Sequence, residues 1–236
     1  MGYWVTLIVA VMSSFGCAHR GPTNGEAVIL IHGFGRSNSA MSSLSDQIEE
    51  AGYEVHRVGY SSLTQDIDGI RDEVSEKILD LSLDGAKRVH FVGHSLGGLL
   101  IRDHLGRHDH HNLGYVVNLG SPSRGTPVVD QLRDEWWFGL AGPAVLALSA
   151  RGSPFLDGLP SPHYDLGIIA GNVEREGEGD VIPGVDDGVV PLASTPVKGM
   201  KEYLVIPSSH YRLRRHPQAV GAILQFLKSG SFRSSR

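Results

Sequence analysis

One cysteine, Cys17, stands in a chain of 236 residues, so no disulfide can close within it. There is no surplus of positive charge. Against 26 Asp and Glu stand 21 Lys and Arg, a net charge of −5, so no basic surface for nucleic acid is implied. No repeat and no long low-complexity tract interrupts the sequence. No apolar run has membrane-spanning length: Tyr3–Met12, YWVTLIVAVM, is roughly half of what a helix needs to cross a bilayer. What remains, 41% hydrophobic and 20% charged, is the composition of a globular domain with a single core.

The short run at Tyr3–Met12 suits the core of a signal peptide. Cys17 follows it, preceded by Gly16, and the arrangement resembles a bacterial lipoprotein signal, in which the cysteine becomes the acylated first residue. It departs from that pattern in two ways. No Lys or Arg precedes the run, and Ser14 and Phe15 replace the usual aliphatic and small residues. A plain secretory signal and an uncleaved anchor therefore stay open. The expected organisation is a signal peptide over 1–17, a linker over 18–25 and one domain over 26–236. Export is expected, to a membrane-anchored, periplasmic or secreted destination.

The domain is organised around Val89–Leu100, VHFVGHSLGGLL. An apolar run of strand length turns sharply at Gly93-His94-Ser95-Leu96-Gly97 and continues with helical character. This is G-x-S-x-G in its required strand–turn–helix setting, which leaves the Ser95 hydroxyl at the top of a sheet beside a helix N-terminus. Upstream, the apolar strand Ala27–Ile31 runs into His32-Gly33-Phe34-Gly35. A loop in that position supplies one backbone N–H to an oxyanion hole, and the residue after the serine supplies the other. The donors are then Phe34 and Leu96. His32 reads as a residue that orients this loop, not as a base.

The rest of the chain alternates. Helical spacing marks Ser37–Gly52, with Ser37 or Asn38 as its cap, and Asp66–Leu83. Strands are expected at Tyr53–Tyr60, Tyr115–Leu119, Asp165–Ala170 and Tyr203–Ile206, and a closing helix near Arg214–Lys228. Such alternation implies a parallel sheet covered on both faces. Gly106–His111, GRHDHH, invites a metal reading, but no partner ligands recur at a metal-binding spacing, and a solvated loop is expected. Val128–Pro160 breaks the alternation. It carries Trp136, Trp137, Phe138, Leu140, Val145, Leu146 and Leu148, and reads equally as buried core or as a cap over a substrate site.

A serine hydroxyl is too weakly acidic to attack an ester unaided. A histidine must take its proton, and a carboxylate must hold the histidine. In the chain order Ser…Asp…His, acid and base follow the last two strands. Asp187 and His210 stand there. Asp187 is preferred to Asp186 because Gly188 follows it and lets the chain bend away; Asp165 and Asp180 are the fallbacks, and His216 is the rival base.

HGFGR, GHSLGGL, LGSPSRGT, DDGVVPLAS and SSH together resemble the α/β-hydrolase superfamily, most closely its small bacterial esterase and lipase branch, over about Ala27 to Phe232. The resemblance implies a minimal α/β-hydrolase fold of about six mostly parallel strands, with helices on both faces and a short apolar cap. It implies a serine hydrolase cleaving carboxylic esters through an acyl-enzyme, with Ser95 as nucleophile, Asp187 as acid and His210 as base. Phe34 and Leu96 are the implied oxyanion donors, and Trp136 and Trp137 are candidates to contact an acyl or lipid substrate. No metal or cofactor is expected. An acyltransferase using the same triad, and a non-catalytic surface lipoprotein, are the open alternatives.

Overall fold

The structure, a computed structural model, describes residues 24–173, 182 and 184–233. The expected signal segment, most of the linker and Asp180 lie outside the described residues. Six strands form one sheet: β1 (Ala27–Ile31), β2 (Glu54–Val58), β3 (Val89–His94), β4 (Leu113–Leu119), β5 (Leu166–Gly171) and β6 (Glu202–Ile206). Their order is β2-β1-β3-β4-β5-β6, and every pairing is parallel. The four inner strands read as apolar runs because both of their faces are covered. β1 is the clearest case. Ile29 and Ile31 point into one core and Val28 and Leu30 into the other, following the two-residue period of a strand.

Each core has its own helices. On one face, α2 (Ile67–Asp80) and α3 (Leu96–Arg107) contribute Ile70, Val74, Leu99 and Leu100. On the other, α1 (Ser42–Glu50) and α6 (Pro217–Ser229) contribute Leu44, Ile48, Val220, Ile223 and Phe226. Phe91 and Phe226 are fully buried. Side chains of this size stabilise the fold by about 1.5–3 kcal/mol each.

Helix starts were harder to read from sequence. Asp66 caps α2 by accepting from the Gly69 N–H at 2.8 Å. The expected cap at Ser37 or Asn38 is not made. Residues Asn38–Met41 form a 3-10 turn, and α1 begins only at Ser42. The Ser37 hydroxyl pairs with that of Ser39 at 2.8 Å, so it is not available to the helix. Two short helices, α4 (Pro127–Leu132) and α5 (Pro154–Gly158), bracket the irregular segment between β4 and β5.

Candidate active site

β3 ends at His94, and Ser95 turns the chain into α3 with φ 56° and ψ −123°. Ser82 is the only other non-glycine among the described residues with positive φ. A backbone so placed costs on the order of 1–3 kcal/mol and persists only where its surroundings enforce it. The flanking glycines do so by close approach. A Cβ on Gly97 would stand 2.3 Å from the Ile31 carbonyl oxygen, and one on Gly93 would stand 2.4 Å from the Gly98 nitrogen. The Ser95 N–H donates to the Leu119 carbonyl at 2.8 Å, which ties the elbow to β4.

The loop after β1 comes to the same place. A Cβ on Gly33 would lie 2.9 Å from Ser95 Cβ. His32 holds this loop. Its ring stacks on Tyr60 at 4.2 Å, its Nδ1 donates to the Gly33 carbonyl at 2.8 Å, and its Nε2 accepts from the Tyr60 N–H at 3.3 Å. Burial pushes its pKa below the usual histidine value, which fits a neutral structural ring. Gly35 donates to the Ser62 hydroxyl at 2.8 Å. Between these ties, the Phe34 N–H has no acceptor among the described residues, and neither has the Leu96 N–H at the start of α3. Free N–H groups at a helix start favour negative charge.

Asp187 and His210 meet in the interior. Asp187 Oδ2 accepts from His210 Nδ1 at 2.7 Å, and both residues are buried. Oδ1 accepts from the N–H groups of Val189 at 3.0 Å and Val190 at 2.8 Å. The His210 N–H donates to the Asp187 carbonyl at 2.7 Å. The carboxylate thus fixes the Nδ1–H tautomer and leaves Nε2 as an acceptor. Asp186 points elsewhere: its Oδ1 accepts from the Gly188 N–H, closing the turn, and it is buried rather than solvated. His216 directly precedes Pro217 at the start of α6 and is not among the hydrogen-bond partners of the Asp187 carboxylate.

Trp136 is 90% exposed and Trp137 is 39% exposed, with its ring 6.4 Å from Phe138. In the histidine-rich stretch, His110 is not simply solvated: its Nε2 lies 2.8 Å from Nε2 of the buried His104. Among the described residues, no cluster of three ligating side chains could hold a metal ion.

Two further residues adjoin the pair. His94 reaches the His210 carbonyl at 3.0 Å. Gly120, at φ 55°, lies so close that a Cβ would stand 3.1 Å from Asp187 Oδ2. The elbow pattern marks the position of His94 but says nothing of its partner.

A parallel six-stranded sheet with a serine elbow after its central strand, and an Asp–His pair carried by the loops after its last two strands, defines an α/β hydrolase. The chain belongs to the palmitoyl protein thioesterase family, whose model matches residues 27–151. Its fold is similar to that of a lipase from Bacillus licheniformis, BlEst2 in mature form, with 18% identity, a TM-score of 0.69, and coverage of 89% of this chain and 94% of that one. It is similar to an esterase from Exiguobacterium antarcticum at 17% identity and TM-score 0.62, covering 87% and 93% of the two chains. Phospholipase PlaB from Legionella pneumophila matches at 17% identity and TM-score 0.64, over 87% of this chain and 60% of that one. At these identities the likeness is one of fold. No match was found among curated proteins.

Proposed function

We propose that this chain is a serine hydrolase that cleaves acyl esters through an acyl-enzyme. The observation that carries the reading is the Asp187–His210 pair, which leaves His210 Nε2 as a proton acceptor beside a strained serine elbow. In the proposed reaction Ser95 Oγ attacks the carbonyl carbon while its proton passes to His210 Nε2. The negative oxygen of the tetrahedral intermediate takes hydrogen bonds from the Phe34 and Leu96 N–H groups, each worth on the order of 2.7–4 kcal/mol in comparable sites. Collapse breaks the ester bond, and the leaving group departs with the proton from His210. Water then attacks the acyl-enzyme, with His210 as base again, and the acid is released.

Lipid or other long-chain acyl esters are the proposed substrates, in keeping with the lipase and phospholipase neighbours of the fold. The family's description favours a second leaving group, a thiol, so thioesters belong to the same proposal. A short apolar run followed by Cys17 supports export, with acylation of Cys17 as the anchor. Intact-mass analysis showing an unmodified Cys17 would remove the anchor.

The central test is labelling with a fluorophosphonate, which reacts with an activated serine. Peptide mapping should find the label on Ser95. Ser95→Ala should abolish labelling and cut ester turnover by at least about a thousandfold while the protein stays folded. Turnover above about a tenth of wild type would remove Ser95 from its role. A matched oxoester and thioester of one acyl chain then separates the two leaving groups.

A further inference from the structure

We propose that His94, the residue before the nucleophile, is a positioning residue that grips the backbone of His210 and holds the base in register with Ser95. The inference rests on the function proposed above and concerns how that site is assembled.

His94 Nε2 lies 3.0 Å from the His210 carbonyl oxygen. A carbonyl oxygen only accepts, so Nε2 carries the proton. The two rings lie 4.7 Å apart between centroids, inclined by 47°. On its other edge the same imidazole touches the loop after β1: a Cβ on Gly33 would stand 3.0 Å from His94 Nδ1. One fully enclosed ring therefore abuts the oxyanion loop, the nucleophile's own backbone and the base's backbone.

His210 is held at three points. Its Nδ1 is fixed by Asp187 Oδ2, its N–H by the Asp187 carbonyl and its carbonyl by His94. The first two ties reference the base to the acid loop. Only the third references it to β3 and so to Ser95. Without it, the base and the nucleophile sit on separate loops, the one after β6 and the other after β3. Misplacement by about 1 Å between reacting groups is enough to cost about a hundredfold in rate.

Charge fits this role. Burial holds His94 well below the usual histidine pKa, and the charges of His210, Arg214 and Arg36 act in the same direction. A neutral His94 remains a fixed Nε2–H donor, and it does not oppose the imidazolium that forms on His210 during turnover.

The test compares two variants with the wild type. His94→Phe keeps a ring and loses the donor. His94→Gln loses the ring but places an amide N–H where Nε2 stood. On p-nitrophenyl butyrate, His94→Phe should lower kcat by about ten- to hundredfold with KM nearly unchanged, and His94→Gln should restore most of that loss. In the resting protein, proton NMR should show a low-field His210 Nδ1–H signal, identified by its absence in His210→Gln. That signal should persist in the wild type and in His94→Gln, and should broaden through exchange in His94→Phe. Equal kcat losses in the two variants, or wild-type kcat with an unchanged signal in His94→Phe, would overturn the proposal. Should His94→Phe not fold, loss of the signal in a folded His94→Gln would also overturn it. A wild-type chain inert towards every ester would sink the proposed function, and the resting-state signals would still decide the role of His94.

Discussion

Asp187→Asn is the substitution whose outcome the geometry constrains most tightly. Asp187 Oδ1 accepts two backbone N–H groups, from Val189 and Val190, while Oδ2 faces His210 Nδ1 at 2.7 Å. An asparagine has one oxygen and one NH2. If the oxygen replaces Oδ1, both backbone bonds survive and the NH2 faces His210. An NH2 can only donate, so His210 Nδ1 must become the acceptor and the proton must move to Nε2. That tautomer cannot take the serine's proton. The flipped amide sets an NH2 against two N–H donors in a buried site, and leaving buried donors unpaired costs about 1–3 kcal/mol each. The first arrangement is therefore favoured. Stability should stay near wild type, while turnover should fall by up to about ten-thousandfold, roughly 5.5 kcal/mol in the barrier, if the serine-protease precedent applies. Asp187→Ala should behave differently, because it strips the acceptor from Val189 and Val190 and so lowers stability as well. Asp186→Asn, which alters a turn-closing contact to Gly188, should cost less than about tenfold. The assay is kcat/KM on a soluble short-chain ester beside thermal unfolding of all three variants. An active Asp187→Asn would refute the assignment of the acid, and an inactive Asp186→Asn beside it would transfer the role to Asp186.

Three other outcomes follow from particular contacts. Gly97→Ala puts a methyl 2.3 Å from the Ile31 carbonyl oxygen and 2.6 Å from that of His32; the elbow or the oxyanion loop must shift, and kcat/KM should fall by at least about a hundredfold, so wild-type kinetics would show that the two loops move freely. His104 is buried, and its pKa falls from 6.5 to about 3. The unfolded chain takes up that proton and the folded chain does not, so this residue withdraws stability as pH falls from 6.5 towards about 3, by on the order of 5 kcal/mol in total. Denaturant titrations of His104→Gln should show a shallower loss over that window, and an unchanged slope would contradict the burial argument. Trp136→Ala, at a site 90% exposed, should change stability by less than about 0.5 kcal/mol. If Trp136 contacts acyl chains, the same change should flatten the rise of kcat/KM with chain length, normally about 0.8 kcal/mol per buried methylene, and an unaltered profile would remove it from the substrate.

The strands were legible because a parallel strand covered on both faces is a continuous apolar run, and Ala27–Ile31 was read to its observed limits. The elbow was legible for a steric reason: Gly93 and Gly97 stand where no side chain fits. The position of the Asp187–His210 contact followed from chain order. Its supports did not. His94 grips a residue 116 positions away, and Ser62 holds Gly35 across 27. No local pattern encodes such a partner, since any buried histidine or serine could serve many. The missed cap at Ser37 has the opposite cause, a competing local hydroxyl at Ser39.

The segment after α4 shows why core and cap could not be told apart by composition. Beyond Trp136 and Trp137, its apolar residues lie mostly on two 3-10 turns, Phe138–Ala141 and Pro143–Leu148, separated by Gly142, so no helical period sorts inside from outside. The structure divides them residue by residue. Phe138, Ala144, Val145 and Leu148 are buried in the core that holds α2 and α3, whereas Trp136, Leu140 and Leu146 are exposed. The buried half also reaches the acid loop. Thr126 takes the Leu148 carbonyl through its N–H at 2.8 Å, and gives its hydroxyl proton to the carbonyl of Val189, whose own N–H binds Asp187 Oδ1. Asp130 holds the far root of the segment through the Ser149 hydroxyl and the Ala150 N–H. A truncation in the buried half therefore disturbs the core and, through Thr126 and Val189, the carboxylate. A truncation in the exposed half can act only on what approaches from solvent. The two halves thus differ in a measurable way: changes at Val145 or Leu148 should alter stability and kcat together, and changes at Trp136 or Leu140 should leave both alone for the shortest esters.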